Sequence, residues 1–468
     1  MSLPFRPVVL GTDALLFALL AAVAALAFWT ARNPQWRRPW ARVGASPVAV
    51  ACLVILGAFA LVAVLDSLHY RPRLPDAAPG QPAQYSDTVR SVFDALTPNL
   101  WRVQEETYSA PLAAHLFVRQ PRTLSDGQVV RVYPRLRVAA GSEPPGQRWR
   151  DMARRALAGA AAGLAAGILC AGLLAWRSGR ARGARAWLAA AARGQAGWPV
   201  RTLLATLTIL FVFVGVIAAL APAYHVLGTD KVGQDVLYLT LKSIRTGLLI
   251  GTLTTLVTLP LAILLGIAAG YFGGWVDDAI QYVYTVLNSI PSVLLIAAAV
   301  LMAQVYIETH GRMFDTNAAR ADFRLLFLCL ILGMTNWTTL ARLLRGETLK
   351  IRALEYIEAA RAFGVGHGRI LLRHVLPNVF HIVLISTVMD FSGLVLAEAV
   401  LSYVGVGVDP LTYSWGNMIN AARLELAREP VVWWQLVAAF AFMSTLVLAA
   451  NLLADVVREA FDPRRGRA

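Results

Sequence analysis

The decapeptide EYIEAARAFG, residues 355–364, sets Glu355, Glu358 and Arg361 between long apolar stretches. Charges this dense cannot cross a bilayer, so the chemistry open to the segment is that of a contact surface. At helical period Ala353, Tyr356, Ile357, Ala360, Phe363 and Gly364 share one face and the charges fall elsewhere. Gly364 suits a left-handed helix end, Gly366 loosens the turn, and HGRILLRHVL reads as a second short helix stopped by Pro377. Ala359 and Ala360 keep one side slim enough for another backbone to approach, while the carboxylates offer polar registration. On periodicity alone a solvated amphipathic linker is the simpler reading, and the surrounding sequence reverses it.

Other residues with chemical potential are few. Asp390 and Glu398 lie eight apart inside an apolar run, on roughly one helix face. Ionisable groups there need partners or water, so the pair either lines a solute path or is absorbed structurally, with Glu398 near an interface and Asp390 bonded to a neighbouring helix. Asn288 and Pro291 in LNSIPS either open their helix by breaking its backbone bonds, as part of such a path, or merely kink it. His367, His374 and His381 recur every seven residues, but two helical turns separate neighbours by roughly 10 Å, too far for one shared metal ion. Cys52, Cys170 and Cys329 fall singly in apolar runs, with no CxxC pair, and read as packing residues. HExxH, GxSxG and paired-carboxylate signatures are absent, as is GxxxxGK[ST], the cradle needed for ATP phosphates. Neither catalysis nor a cofactor bound by this chain is expected.

The elements that must position these residues are membrane helices. With 468 residues, 57% of them hydrophobic and 15% charged, and a mean hydropathy of +0.57, the chain belongs in a bilayer. Apolar runs at 13–30, 48–66, 156–175, 202–222, 247–271, 280–304, 325–344, 379–404 and 431–454 are each long enough to span. The net charge of +15 then belongs to loops rather than to a nucleic-acid surface. Arginines concentrate at 31–46, at 176–201, in the 345–378 loop and in the tail DPRRGRA, which puts all four on the cytoplasmic side, the N-terminus outside and the C-terminus inside. No signal peptide is expected. The long 67–155 segment falls outside, with proline-rich ends around a denser centre where Phe93, Leu96, Leu100, Trp101 and Leu116 provide a small core, a helix and then short strands such as QVVRVYPRLRV.

A resemblance now becomes specific. EAARAFG with a downstream LP looks like the EAA loop of ABC importer permeases: Glu358, Ala359, Ala360, Gly364, Leu376 and Pro377 match, and His374 stands where an Ile is usual. GTDKVGQDVL (228–237), AGYFGGWVDD (269–278), EAVLSYVGVGVDPLTYSWGNM (398–418) and REAFDPR (458–464) resemble the corresponding segments of the dipeptide/oligopeptide/nickel permease family, in order over more than half the chain. Gln234, where that family usually has Arg, and Asp390, unusual within its helix, depart from the pattern.

The resemblance implies an all-α polytopic protein with a type I importer transmembrane fold: a six-helix core at 201–468, two helices in 1–66, the external insertion 67–155, and a further helix with a basic loop at 156–200. The bacterial inner membrane is the implied location. The implied partners are a second homologous permease, two cytoplasmic ATPase subunits that alone handle ATP and Mg, and an extracytoplasmic solute-binding protein; nucleic acid is not among them. The ATPases would hold the loop helix in a groove, and the solute would be a peptide or similar small molecule. The 47–66 and 198–222 helices both resemble the helix that opens such permeases, as a duplication or a large insertion after the first would explain. A secondary transporter would need inverted repeats, and a membrane-anchored sensor an output domain.

Overall fold

The computed structural model describes residues 5–74, 84–123, 128–138, 145–178, 199–314 and 316–461. The arginine-rich stretch around residue 185 and the tail 462–468 lie outside them. In chain order, strand β1 (Phe5–Val8) leads into α1 (Gly11–Arg32), α2 (Pro34–Ala45) and α3 (Pro47–Ser67). A cap follows with strands β2 (His69–Pro72) and β3 (Arg90–Ser91), helices α4 (Val92–Leu96) and α5 (Pro98–Trp101), and the hairpin β4 (Gln120–Thr123) and β5 (Val129–Val132). Then come α6 (Pro145–Ser178), α7 (Val200–Leu220), α8 (Val236–Phe272), α9 (Gly274–Ser289), α10 (Ser292–Thr309) and α11 (Asn317–Arg352). The chain closes with the short α12 (Glu355–Ala362) and α13 (His367–Ile370), α14 (Leu376–Val404), α15 (Trp415–Glu425) and α16 (Trp434–Phe461). Among the described residues nine helices are long and apolar enough to span a membrane.

The hub is α8, 37 residues or about 55 Å long. Asp235 caps its start by accepting from the Leu237 and Tyr238 amides, at 2.8 and 3.4 Å. Against it pack α11, α14, α3, α9, α16 and α1. Its tightest contact, with α11, rests on small residues: a Cβ at Gly266 or Gly270 would collide with the α11 backbone or Thr348, and one at Gly333 with Val257.

Four expectations change. The run 280–304 is not one helix: α9 ends at Ser289 and α10 starts at Ser292, because Pro291 cannot donate to the ladder and Ile290 is extended, at φ −94°, ψ 129°. Pro377 stops nothing, since Leu371–Val375 forms a π turn that runs into α14 with Pro377 in its first turn, where a missing N–H costs little. Asn378 Nδ2 adds a bond to the His374 carbonyl, at 2.7 Å. The helix expected to open the core at 201 lies elsewhere than on the hub: α7 packs on α6 and on α3, whereas α3 itself lies on α8 and α16. The helix at 47–67 is thus the one of the two that stands against α8. The cap centre, finally, has no separate core: Phe93, Leu100 and Leu116 are buried, but Phe93 and Leu100 join Trp415, Trp434 and Leu237 in one cluster, and Leu96 is exposed.

The inserted hairpin α6/α7 is zipped by glycine. A Cβ on Gly159 or Gly163 would strike the α7 backbone at Gly215 or Phe211, and one on Gly167 would strike Thr208. Gly163→Leu is therefore expected to pry the two helices apart and destabilise the hairpin by about 1–3 kcal/mol, the usual cost of overpacking. A lowered melting temperature in detergent, beside an unchanged one for Gly172→Ala, where a Cβ meets open space, checks this.

Candidate functional site: a loop helix, a midspan cavity and a charged lock

The 353–376 loop is a short lever with two faces. Leu354 is extended before α12; Glu355 and Glu358 sit in the first turn and Arg361 in the last, as the helix dipole favours. Gly364 turns left-handed at φ +74°, and Val365 N–H closes on the Ala360 carbonyl at 3.0 Å. Ile357 is fully buried among Ile351, Ile370 and Val375, with Ala360 beside it. Arg361 lies 4.5 Å from the centre of the buried Tyr271 ring, whose hydroxyl is 2.9 Å from His367 Nδ1, so the loop is fixed to the end of α8. Arg345 donates twice to Asp277, 2.6 Å each, joining α9 to α11 just behind the loop; those bonds hold the Asp277 carboxyl below the usual carboxylate range. The single apolar face expected from periodicity is split. Tyr356 and Phe363 point outward, Phe363 at 86% exposure, and Leu354, Leu372, Glu355, Glu358 and Ala359 are exposed as well. The outward Leu354 and Leu372 were not picked out in the sequence.

Halfway along α8, α11 and α14 a cavity of about 280 Å³ opens between Thr255, Thr258, Asn336, Thr339, Asp390 and Gly393. Asp390 is exposed within it. Glu398 is not: 1% exposed, it accepts from Ser402 Oγ at 2.7 Å beside α15. The structure therefore separates the two carboxylates. Asn288 lies by α11, its Oδ1 accepting from Thr338 Oγ1 at 3.3 Å, and Pro291 is exposed at the break between α9 and α10; neither lines the cavity.

The opposite end of α8 carries a charged lock that sequence reasoning missed, because the apolar run begins only at 247. Lys242 Nζ is 3.0 Å from Asp66 at the end of α3 and 2.9 Å from Asp94 in the cap, where Tyr238 OH also donates to Asp94 at 2.8 Å. One turn on, Arg245 donates to Asp13 of α1 at 2.6 Å and to Thr12 and Ser67 at 3.1 Å. His69 Nδ1 meets Asp13 at 2.8 Å, and Thr12 Oγ1 donates to Asp322 of α11. Burial alone would raise the Asp94 pKa; Lys242, Ser91 and Tyr238 bring it below the ordinary value. Nearby, the loop GTDKVGQD is the cap's seat. Gly228 and Gly233 hold φ of +73° and +76°, and a Cβ on either would overlap the Ser109 or Glu105 carbonyl. Buried His225 lies between Asp235, at 2.6 Å, and Glu105, at 3.5 Å; burial lowers its pKa, but the two carboxylates win and raise it.

The description "binding-protein-dependent transport system inner membrane component" matches residues 262–467. The oligopeptide transport system permease protein OppC of Mycobacterium bovis is 32% identical over 239 residues, 51% of this chain and 76% of that protein. That of Haemophilus influenzae is 29% identical over 242 residues, covering 52% and 71%. The chain belongs to the ABC importer permeases. A methionine transporter, MetNI, in an inward-facing structure, overlaps 48% of this chain and 97% of its own at 16% identity, with a TM-score of 0.37. As a permease of this family the chain is a multi-pass inner-membrane protein of an importer that works with ATPase and substrate-binding partners. The matched region starts within α8, so α1, α6, α7 and the cap lie outside it.

Two outcomes follow from the lock. Lys242→Met strands Asp66 and Asp94 and should destabilise the fold by about 3–5 kcal/mol, read as loss of thermal stability in detergent. His225, its folded pKa raised above the ordinary 6.5, stabilises the cap seat fully below pH 6.5, and that contribution is lost as pH rises through the folded value. Exchange protection factors of the Glu105 and Leu112 amides, bonded to Gly233 and His225, should fall on alkalinisation, and His225→Phe should abolish the pH dependence.

Proposed function

We propose that this chain is the translocating subunit of a peptide importer, driven through its 353–376 loop by ATPases that sit on the outward face of α12. Tyr356, Ile357, Glu358, Ala359, Ala360, Arg361, Phe363, Gly364, Leu376 and Pro377 then have divided roles. Ile357, Ala360 and Arg361 anchor the helix, Gly364 ends it, Leu376 and Pro377 carry the chain into α14, and Tyr356, Glu358, Ala359 and Phe363 meet the partner. The observation that carries this reading is the outward apolar and acidic face on a helix tied to α8 through Tyr271. A push there acts on α8, the helix whose far end carries the charged lock.

In this reading the loop end is cytoplasmic, as the arginines of 31–46 and 345–378 favour, and the cap end faces outward, toward the solute-binding protein. A second homologous permease and two ATPase subunits complete the assembly; ATP and Mg are bound and hydrolysed in those subunits, and this chain is not itself an enzyme. The OppC relatives, permeases of oligopeptide transport systems by name, support a peptide as the solute, and Asp390 stands on its path.

Glu358→Arg and Phe363→Ala are expected to leave the chain inserted and folded while weakening ATPase retention. Loss of one charge-assisted interfacial hydrogen bond at residue 358 costs roughly 1.5–3 kcal/mol. Co-purification of the ATPases and peptide uptake into proteoliposomes are the measurements, and wild-type levels of both in the two variants would remove α12 from the contact.

A further inference from the structure

We infer that the midspan cavity receives the cationic group of the solute, an ammonium or guanidinium, and that Asp390 makes this permease favour positively charged substrates; the inference rests on the translocation reading above.

Three observations converge. The Asp390 carboxylate faces a cavity of about 280 Å³ and has neither an ion-pair partner nor a hydrogen-bond donor among the described residues. Glu398, two turns along the same helix, is satisfied by Ser402. Secondly, among the described residues no Lys, Arg or His lines the cavity; from α8 come Thr255, Thr258 and Leu259, from α11 Asn336 and Thr339, and the remainder from α14 itself. Thirdly, three of the neutral polar groups direct donors at backbone carbonyls rather than at Asp390. Thr255 Oγ1 donates to Gly251 at 2.6 Å, Thr258 Oγ1 to Thr254 at 3.0 Å and Gly333 at 3.3 Å, and Asn336 Nδ2 to Leu332 at 2.7 Å. The Thr255 and Thr258 hydroxyls and the Asn336 amide oxygen keep lone pairs to accept with, beside one remaining Asn336 N–H and the Thr339 hydroxyl. A carboxylate among neutral polar groups, with no cation to pair it, matches a group that carries several N–H donors and a positive charge, and it opposes an anion, most strongly away from bulk water.

The test uses Gly393→Cys, since a Cβ there meets open space and the residue lines the same cavity. With Cys52, Cys170 and Cys329 replaced by alanine, the full chain is assembled with its native partners in membrane vesicles. It is labelled with trimethylammonium-ethyl or with sulfonatoethyl methanethiosulfonate. With each rate divided by that of the same reagent on free 2-mercaptoethanol, the cationic reagent should be favoured at least about tenfold, as a carboxylate several ångströms away dictates. Asp390→Asn should bring the normalised ratio near one, while Asp390→Glu keeps it high. A normalised ratio near one with Asp390 present, or one that Asp390→Asn leaves unchanged, overturns the inference. In parallel, uptake of trilysine relative to trialanine and triglutamate should fall with Asp390→Asn, and an unaltered preference counts against the site. If no peptide enters through the parent protein while the labelling ratio stands, the peptide reading fails and the charge selectivity survives it.

Discussion

Lys242 and Arg245, one turn apart near the start of α8, hold together segments that the chain order keeps far apart. Between them they engage Asp66 and Ser67 at the end of α3, Asp94 in the cap, and Thr12 and Asp13 at the start of α1. Asp322 at the start of α11 joins through Thr12. These charges are nearly all buried, so each depends on its partners: an ion pair in such surroundings gains little over an apolar pair, but either half alone is expensive. The lock therefore fixes which helix ends meet rather than adding much net stability. Its position where the cap seats on the helices lets α1, α3, α8 and α11 share one reference point.

From that point α8 extends the constraint to the other end. Its N-terminal turns are gripped by charge, its middle by glycine contacts with α11, and its last turn by Tyr271 under Arg361. Pro260 interrupts the backbone ladder between the middle and the last of these grips, so the contacts with α11 keep the two halves of α8 in line. The loop helix α12 is by itself too short to be stable, so its order comes from the buried Ile357 and the Arg361–Tyr271 contact, which leaves Tyr356, Glu358, Ala359 and Phe363 free to face outward.

Between these ends the backbone sets the chemistry of the cavity. In an apolar surround every donor seeks an acceptor, and threonines within helices find theirs in the preceding turn. Thr255, Thr258 and, through one N–H, Asn336 do so, which leaves their oxygens with lone pairs to accept with in the cavity that Asp390 shares. Polarity in the cavity is thus a by-product of keeping α8 and α11 intact.

The membrane class, eight of the nine expected apolar spans, a loop helix within 355–364 and the glycine that ends it were legible in the sequence, because helical period, span length and left-handed turns are local properties. It also showed the family, through motifs whose residues are contiguous. Which of two similar helices lies against α8 was legible only in the fold. Residues 47–67 and 200–220 are equally apolar, and contact with α8 and α16 distinguishes them, not composition. Only the fold parted Asp390 from Glu398: with the spacing fixed, the neighbours of each carboxylate depend on where α8, α11 and α15 stand. The charged lock was illegible for the same reason, since Asp13, Asp66, Asp94, Lys242, Arg245 and Asp322 are scattered over more than three hundred positions, and attraction between buried charges acts through space.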